Sequence, residues 1–323
     1  MLTAAWIGFR IHRFEVVVAL LVSAVVTLTA VIVKLHLDGA AALVPAGCWD
    51  AWFTGTGEVS TACDGPVRAF LDINGSEVGR VMAAMAFLPF VVGLLVGVPL
   101  VGQELEARTA ETAWSLAGSR WRWLGNLSGP GLALVLVALG IAAAAAAVVA
   151  LSREPWRPAG PGWSDLGLYG PIAVARGAAA FGIGLLAGAV VGRTLPALIM
   201  GVLGCALILF VAGGARSAWM EANQEMIDGQ SGYSSGAIIL SGQMFIDASG
   251  AVLAPEEAYA RVPPGTPDEE VSTWLAANMR EVYYGVPAAA APAWERLEVI
   301  GLAATTVLLL IGSFVVVERR RPR

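Results

Sequence analysis

Six stretches of 18 or more residues run almost free of charge along this chain: Val16–Val33, Val81–Val101, Gly131–Leu151, Pro171–Val191, Leu195–Ala212 and Ile300–Val317. At 1.5 Å per helical residue, about 18 residues cover roughly 27 Å, close to the hydrocarbon thickness of a bilayer. A backbone in lipid must satisfy its own hydrogen bonds, which a helix does internally. The sequence therefore predicts an all-α polytopic membrane protein with six transmembrane helices. Pro89 and Pro99 fall inside the second stretch, where a lipid-embedded helix tolerates them. The first apolar run is longer than a signal-peptide core and lacks a small-residue cleavage site, so it is expected to remain as the first span.

Composition agrees with this reading. Hydrophobic residues make up 57% of the 323 and charged residues 14%, against roughly a quarter charged in soluble domains. That excludes a disordered chain and argues against a soluble enzyme.

Charge is unequal on the two faces that six spans create. Arg10, Arg13, Arg108, Arg120, Arg122, Arg193, Arg319, Arg320, Arg321 and Arg323 all fall on the face that holds both termini. Only Glu15, Glu104, Glu106, Glu111 and Glu318 join them there, and the other twenty carboxylates lie opposite. By the positive-inside rule the arginine face is expected to be cytoplasmic, which makes this a multi-pass protein of the cytoplasmic membrane. Residues 1–14 mix Trp6, Ile7, Phe9, Ile11 and Phe14 with Arg10, His12 and Arg13, the pattern of a short helix in the inner interface.

Residues 15–212 then carry spans one to five, 213–299 an outer cap, and 300–323 the last span with a basic tail. Cys48 and Cys63, fifteen residues apart in an outer loop, are expected to form a disulfide. Cys205, inside the fifth span, reads as a small buried apolar residue. Within the cap, Met244–Ile246 and Ala251–Leu253 flank Asp247-Ala248-Ser249-Gly250 and predict a β-hairpin. Thr266-Pro267-Asp268-Glu269 predicts a threonine-capped helix start. Val271, Trp274, Leu275, Met279 and Val282 would form its apolar stripe against the outer ends of the spans, and Gly285 would end it. Trp156, Trp163 and Tyr169 read as interfacial anchors.

Several chemistries are missing. Within the six stretches the only ionisable residue is Arg176, so the mid-membrane carboxylate or histidine of a proton-coupled transporter is absent. His12 and His36 lie outside the spans, which removes the base of an intramembrane serine protease. No metal site is expected from two histidines and three cysteines, and no H-E-x-x-H occurs. Lys34 is the only lysine and stands in Val31-Ile32-Val33-Lys34-Leu35, so this chain holds no P-loop. If the protein does ATP-driven work, a second chain supplies the hydrolysis.

One polar, patterned segment faces the arginine side, Gly102–Leu124. Glu104, Arg108 and Glu111 fall at i, i+4 and i+7 and would share one helical face, with Leu105, Thr112 and Leu116 on another. The pattern suits a short amphipathic helix on which a soluble partner could dock.

The residues of this segment resemble the inner loop of permease subunits in the type-2 family of ABC transporters, which includes drug and polysaccharide exporters. The resemblance is carried by Glu104, Glu106, Thr109, Trp114, Ser119, Arg120, Arg122, Trp123 and Leu124. Such permeases usually have Gly before the Thr, where this chain has Arg108. Gly192-Arg193-Thr194-Leu195-Pro196-Ala197 resembles the family's inner turn between spans four and five. The Asp247–Gly250 hairpin and the Trp294–Arg323 end are similar to actinobacterial members.

The resemblance implies a non-enzymatic membrane subunit that pairs as a dimer, with a homodimer the simplest form. It would bind an ABC-type ATPase subunit, in two copies per dimer, which would hold the ATP and Mg. Glu104, Glu106, Arg108, Thr109, Arg120, Arg122 and Arg193 would be the ATPase-coupling residues. Spans two and five would line the substrate path, with Met82, Met85, Phe87, Phe90 and Phe210 as candidates. An uncharged lining of that kind suits efflux of a hydrophobic or amphipathic substrate such as a drug, antibiotic or lipid-like molecule. A different class fits the same pattern: a membrane sensor or scaffold with a ligand-binding outer cap and a cytoplasmic docking loop. No nucleic-acid partner is expected.

Overall fold

The computed structural model describes residues 13–49, 61–110, 112, 114, 118–153, 163–228 and 237–320. All six apolar stretches lie in helices long enough to cross a membrane. They are α1 (Arg13–Ala42), α3 (Gly79–Glu106), α4 (Arg120–Leu151), α5 (Gly170–Val191), α6 (Thr194–Ala222) and α9 (Ala291–Arg319). A short helix, α2 (Thr61–Ile73), runs through a π-helical turn, Asn74–Val78, into α3. Of the interfacial segment expected over residues 1–14, residues 1–12 lie outside the described residues, as does Trp156, while Arg13 and Phe14 already belong to α1.

The chain divides into two compact units. The first holds residues 1–153, 167–211 and 295–323, with α3 and α5 at its centre. Lipid tails are as apolar as leucine, so helices in a membrane associate through close van der Waals contact, and small residues permit it. A Cβ on Gly97 of α3 would lie 2.4 Å from the Phe181 carbonyl oxygen of α5. One on Gly188 of α5 would lie 2.8 Å from that of Val98. Around this contact the buried side chains of Met85, Val92 and Leu100 pack with Leu124, Leu139, Phe181 and Leu185. Hydroxyls within the spans bond back to their own helices: Ser23 donates to Ala19 O at 2.9 Å, Thr306 to Leu302 O and Ser313 to Leu309 O at 2.8 Å.

Polar pairs fix the end of this unit away from the arginine-rich termini. The Cys48–Cys63 disulfide is present, with its Cα atoms 5.4 Å apart. Arg153 Nε donates to Asn74 Oδ1 at 2.8 Å, both residues being buried. Arg176 does not stand alone: Glu298 of α9 accepts from its Nη2 at 2.6 Å and its Nε at 3.1 Å. Glu298 escaped the sequence reading because it lies two residues ahead of the last apolar stretch. Cys205 is buried among Leu94, Ile183 and Ala197.

The second unit holds residues 154–166 and 212–294. The hairpin forms as expected, pairing Phe245 with Leu253, but it is half of a larger sheet. Strands β1 (Glu225–Asp228), β2 (Ile238–Ile246), β3 (Val252–Leu253) and β4 (Arg280–Val286) make a four-stranded antiparallel sheet in the order β1-β4-β2-β3. Two short helices, α7 (Pro255–Tyr259) and α8 (Asp268–Asn278), accompany it.

Gly285 therefore does not end a helix. It sits inside β4, where a Cβ would come 2.3 Å from the Ile238 carbonyl oxygen. The β-branched and aromatic run Val282-Tyr283-Tyr284 favours that extended backbone. Thr266 is not the cap of α8 either, since its hydroxyl donates to Pro263 O at 2.8 Å. Leu275 and Met279 of the expected stripe are buried with Phe245, Leu253 and Ala258 in this unit's own core. Trp163, expected at an interface, is buried beside Met220, Val286 and Trp294.

Candidate functional site

The segment with the most pattern in the sequence begins where α3 stops, and the stop has a specific geometry. The Thr109 amide donates to Glu104 O at 3.1 Å and the Arg108 amide to Leu105 O at 3.3 Å. These are the six-to-one and five-to-two bonds of a Schellman motif, which satisfies carbonyls the last helical turn leaves open. The motif needs left-handed backbone at its penultimate position, and Arg108 has φ of 58°. Glycine is the usual occupant, since a Cβ is strained there. The expected face of Glu104, Arg108 and Glu111 therefore does not form on one helix. Residues 110, 112 and 114 are helical again, while Glu111 and Leu116 lie outside the described residues.

The two glutamates of the motif have different roles. Glu104 is 8% exposed, and its carboxylate accepts a hydrogen bond from the Thr109 hydroxyl across the turn. Glu106 is exposed and reaches another helix: its Oε2 accepts from both the amide and the hydroxyl of Thr194, each at 2.9 Å. Thr194 opens α6, whose first amides have no intrahelical acceptor. A carboxylate supplied from α3 thus occupies the positive end of the α6 dipole.

Arg120 makes the converse contact at the start of α4. Ser119 caps that helix, its hydroxyl oxygen accepting from the Arg122 amide at 3.2 Å. Arg120 Nη1 lies within hydrogen-bonding distance of the carbonyl oxygens of Val317 (3.2 Å), Glu318 (2.8 Å) and Arg320 (2.6 Å). Val317 and Glu318 belong to the final turn of α9 and Arg320 directly follows it, so the guanidinium sits at the negative end of the dipole, where a cation is favoured. The guanidinium also lies 4.5 Å from the centroid of the Trp114 ring. Trp121 stacks on Phe314 of α9 with centroids 4.7 Å apart. Arg320 in turn donates to Ala189 O in the last turn of α5, which ends at left-handed Gly192. The Gln103 side-chain amide donates to Glu15 of α1.

One end of the first unit is therefore laced together by groups from all six long helices and the loop. Of the seven residues singled out as coupling residues, the structure brings Glu104, Glu106, Thr109 and Arg120 into these contacts, with Arg108 shaping the turn. Arg122 and Arg193 are exposed beside them. Sequence reasoning noted Thr194 without its acceptor and did not reach the α9 carbonyls. A threonine directly after Gly192-Arg193, at a helix start, is the one local signal that an acceptor was needed there.

The five residues proposed for a substrate path do not form one site within this chain. Met82 and Met85 are buried in the bundle, and Phe90 packs on the cluster around Leu94 and Ile183. Phe87 and Phe210 are 70% and 80% exposed. In the second unit a cavity of about 500 Å³ opens between Phe245, Tyr259, Leu275 and Met279, edged by Gln243 and Glu281. Gln243 donates to Glu281, which also accepts from the Tyr283 hydroxyl, so the edge is already hydrogen-bonded.

A family model described as ABC-2 membrane transporter related matches residues 15–216. The match takes in the first five long helices, the Gly102–Leu124 segment and the Gly192–Ala197 turn, and ends before the sheet. No curated protein and no solved structure matches the chain.

Proposed function

Since the chain belongs to the ABC-2 membrane transporter related family, and is thereby a membrane-spanning permease component of an ABC transporter, we propose that it is the permease of an exporter for hydrophobic or amphipathic molecules. ATP and Mg would be held by a separate ABC-type ATPase subunit, and this chain alone would hydrolyse nothing. The arginine-bearing end then faces the cytoplasm, with both termini, and the sheet-bearing unit lies outside. Two copies, most simply identical, would pair so that the exposed Phe87 and Phe210 face a shared path.

The observation that carries the reading is the laced end of the bundle. A loop whose two stems are bonded to other helices, with Arg108, Arg122 and Arg193 exposed beside it, is built to receive a partner and pass on its movement. Arg122 and Arg193 are the contact residues best placed for an acidic surface of the ATPase. Glu104, buried within the turn, holds the loop's shape instead.

Copurification tests this. Tagged protein extracted from its native membrane should bring down a P-loop ATPase, with ATP turnover in the complex and none in the chain alone. Recovery without any ATPase would remove the proposal. The cavity in the second unit supports the other reading, a sensor with an outer ligand site, and that same outcome would favour it.

A further inference from the structure

We propose that Glu106 and Arg120 are positioning residues that carry displacement of the loop into two helices outside it, Glu106 into the first turn of α6 and Arg120 into the last turn of α9. The inference rests on the reading of this loop as the ATPase contact. Its basis is geometric. Glu106 is the last residue of α3 and Arg120 the first of α4, so they stand at the two stems of the loop. Each spends its charged group on the open end of a helix from elsewhere in the chain, at separations of 88 and 197–200 residues.

The signs are complementary. A carboxylate meets the amides at the start of α6, and a guanidinium meets the carbonyls at the end of α9, each the favourable end of the dipole. Neither contact is needed to close the helix that donates it, because α3 ends through Glu104, Leu105 and Thr109 and α4 starts on Ser119. Apart from the contact of Arg120 with the Trp114 ring inside the loop, the two tethers act between helices. A movement of the loop that left α6 and α9 in place would have to break charge-assisted hydrogen bonds, so the helices follow it.

Hydrogen exchange read by mass spectrometry, on protein in lipid nanodiscs, tests this at two levels. In the chain alone, Glu106→Ala should speed exchange about tenfold in residues 194–198, and Arg120→Ala similarly in 315–320. Glu106→Gln, which keeps an acceptor oxygen, should restore the first. In the complex with the copurified ATPase, ATP with vanadate should alter exchange in 107–119, 194–198 and 315–320 together. Glu106→Ala should retain the loop response and lose that of 194–198, and Arg120→Ala should lose that of 315–320. Persistence of both distant responses in the two variants would overturn the inference, as would exchange in the chain alone that the variants leave unchanged. A rise spread through 81–101 would also overturn it, by showing a merely structural role. A wild-type complex whose loop does not respond to nucleotide would instead defeat the reading of the loop as the ATPase contact.

Discussion

Removing the carboxylate of Glu298 should be among the most damaging single changes available in the first unit. The side chain is 4% exposed and its partner Arg176 15%, so little solvent screens the pair. Glu298→Ala would leave Arg176 with the Gly167 carbonyl oxygen at 3.2 Å as the acceptor shown for it. Stranding one member of a buried ion pair costs about 3–5 kcal/mol. Glu298→Gln, which keeps an oxygen acceptor but loses the charge, should cost about 1.5–3 kcal/mol, the range for a hydrogen bond to a charged group. Replacing both residues, as Arg176→Leu with Glu298→Leu, should cost less than Glu298→Ala, because no charge is left behind.

Thermal unfolding in mild detergent, followed by far-ultraviolet circular dichroism, ranks the variants. At about 2 °C per kcal/mol for a chain of this size, Glu298→Ala should lower the midpoint by roughly 6–10 °C. The order expected is wild type, then the double leucine variant, then the single alanine. If the alanine variant melts no lower than the double, the pair holds no uncompensated charge and the argument fails.

Three further outcomes follow from other contacts. Arg108→Gly should raise the unfolding free energy by about 1 kcal/mol in a detergent titration, since it relieves left-handed backbone at φ 58°; a loss would mean the arginine side chain matters more than its backbone. Gly97→Ala should destabilise by about 1–3 kcal/mol in the same titration, because its Cβ meets backbone, whereas Gly129→Ala, with nothing within 4 Å, should not. Asp247 accepts from Ser249 and Ala251 amides, the Ser249 hydroxyl and Arg261, and these bonds, led by the Ser249 hydroxyl, hold its carboxyl well below the usual aspartate value. Its folded pKa is depressed, so its contribution is fully present above about pH 4, the unfolded value, and is lost as pH falls from there toward the folded one. The gap in melting midpoint between wild type and Asp247→Asn should accordingly stay constant from pH 7 to about 4.5 and close on further acidification.

The sequence showed the spans because their apolar runs are local and long. Val16–Val33 and its five counterparts need no partner to be recognised. The disulfide was legible for the same reason, from two cysteines in one short loop. The loop after α3 was seen as special, yet its geometry was hidden: Arg108 stands where a glycine would have announced the left-handed turn. Glu106 to Thr194 and Arg120 to the end of α9 join residues far apart in the chain, and no spacing rule reports such contacts. In the second unit, β4 was misread because Leu275, Met279 and Val282 continue a helical period across Asn278, where the helix stops. The hairpin was legible from its turn, but β1 pairs with β4 across more than fifty residues and carries no turn signal.

The clustered tryptophans of the second unit, Trp163 and Trp294 buried and Trp219 half-buried between them, amount to an optical gauge. Trp163 and Trp219 have ring centroids 5.7 Å apart, and Trp219 and Trp294 5.8 Å, with planes inclined at 43° and 49°. Indoles that close and mutually tilted couple their electronic transitions and give a paired signal in ultraviolet circular dichroism. All three belong to the unit that carries the sheet. In a Trp114→Phe background, which removes the comparable pair of Trp114 and Trp123 in the first unit (5.9 Å, planes at 82°), melting of the sheet-bearing unit can therefore be watched by its own colour while the helical signal reports on the rest.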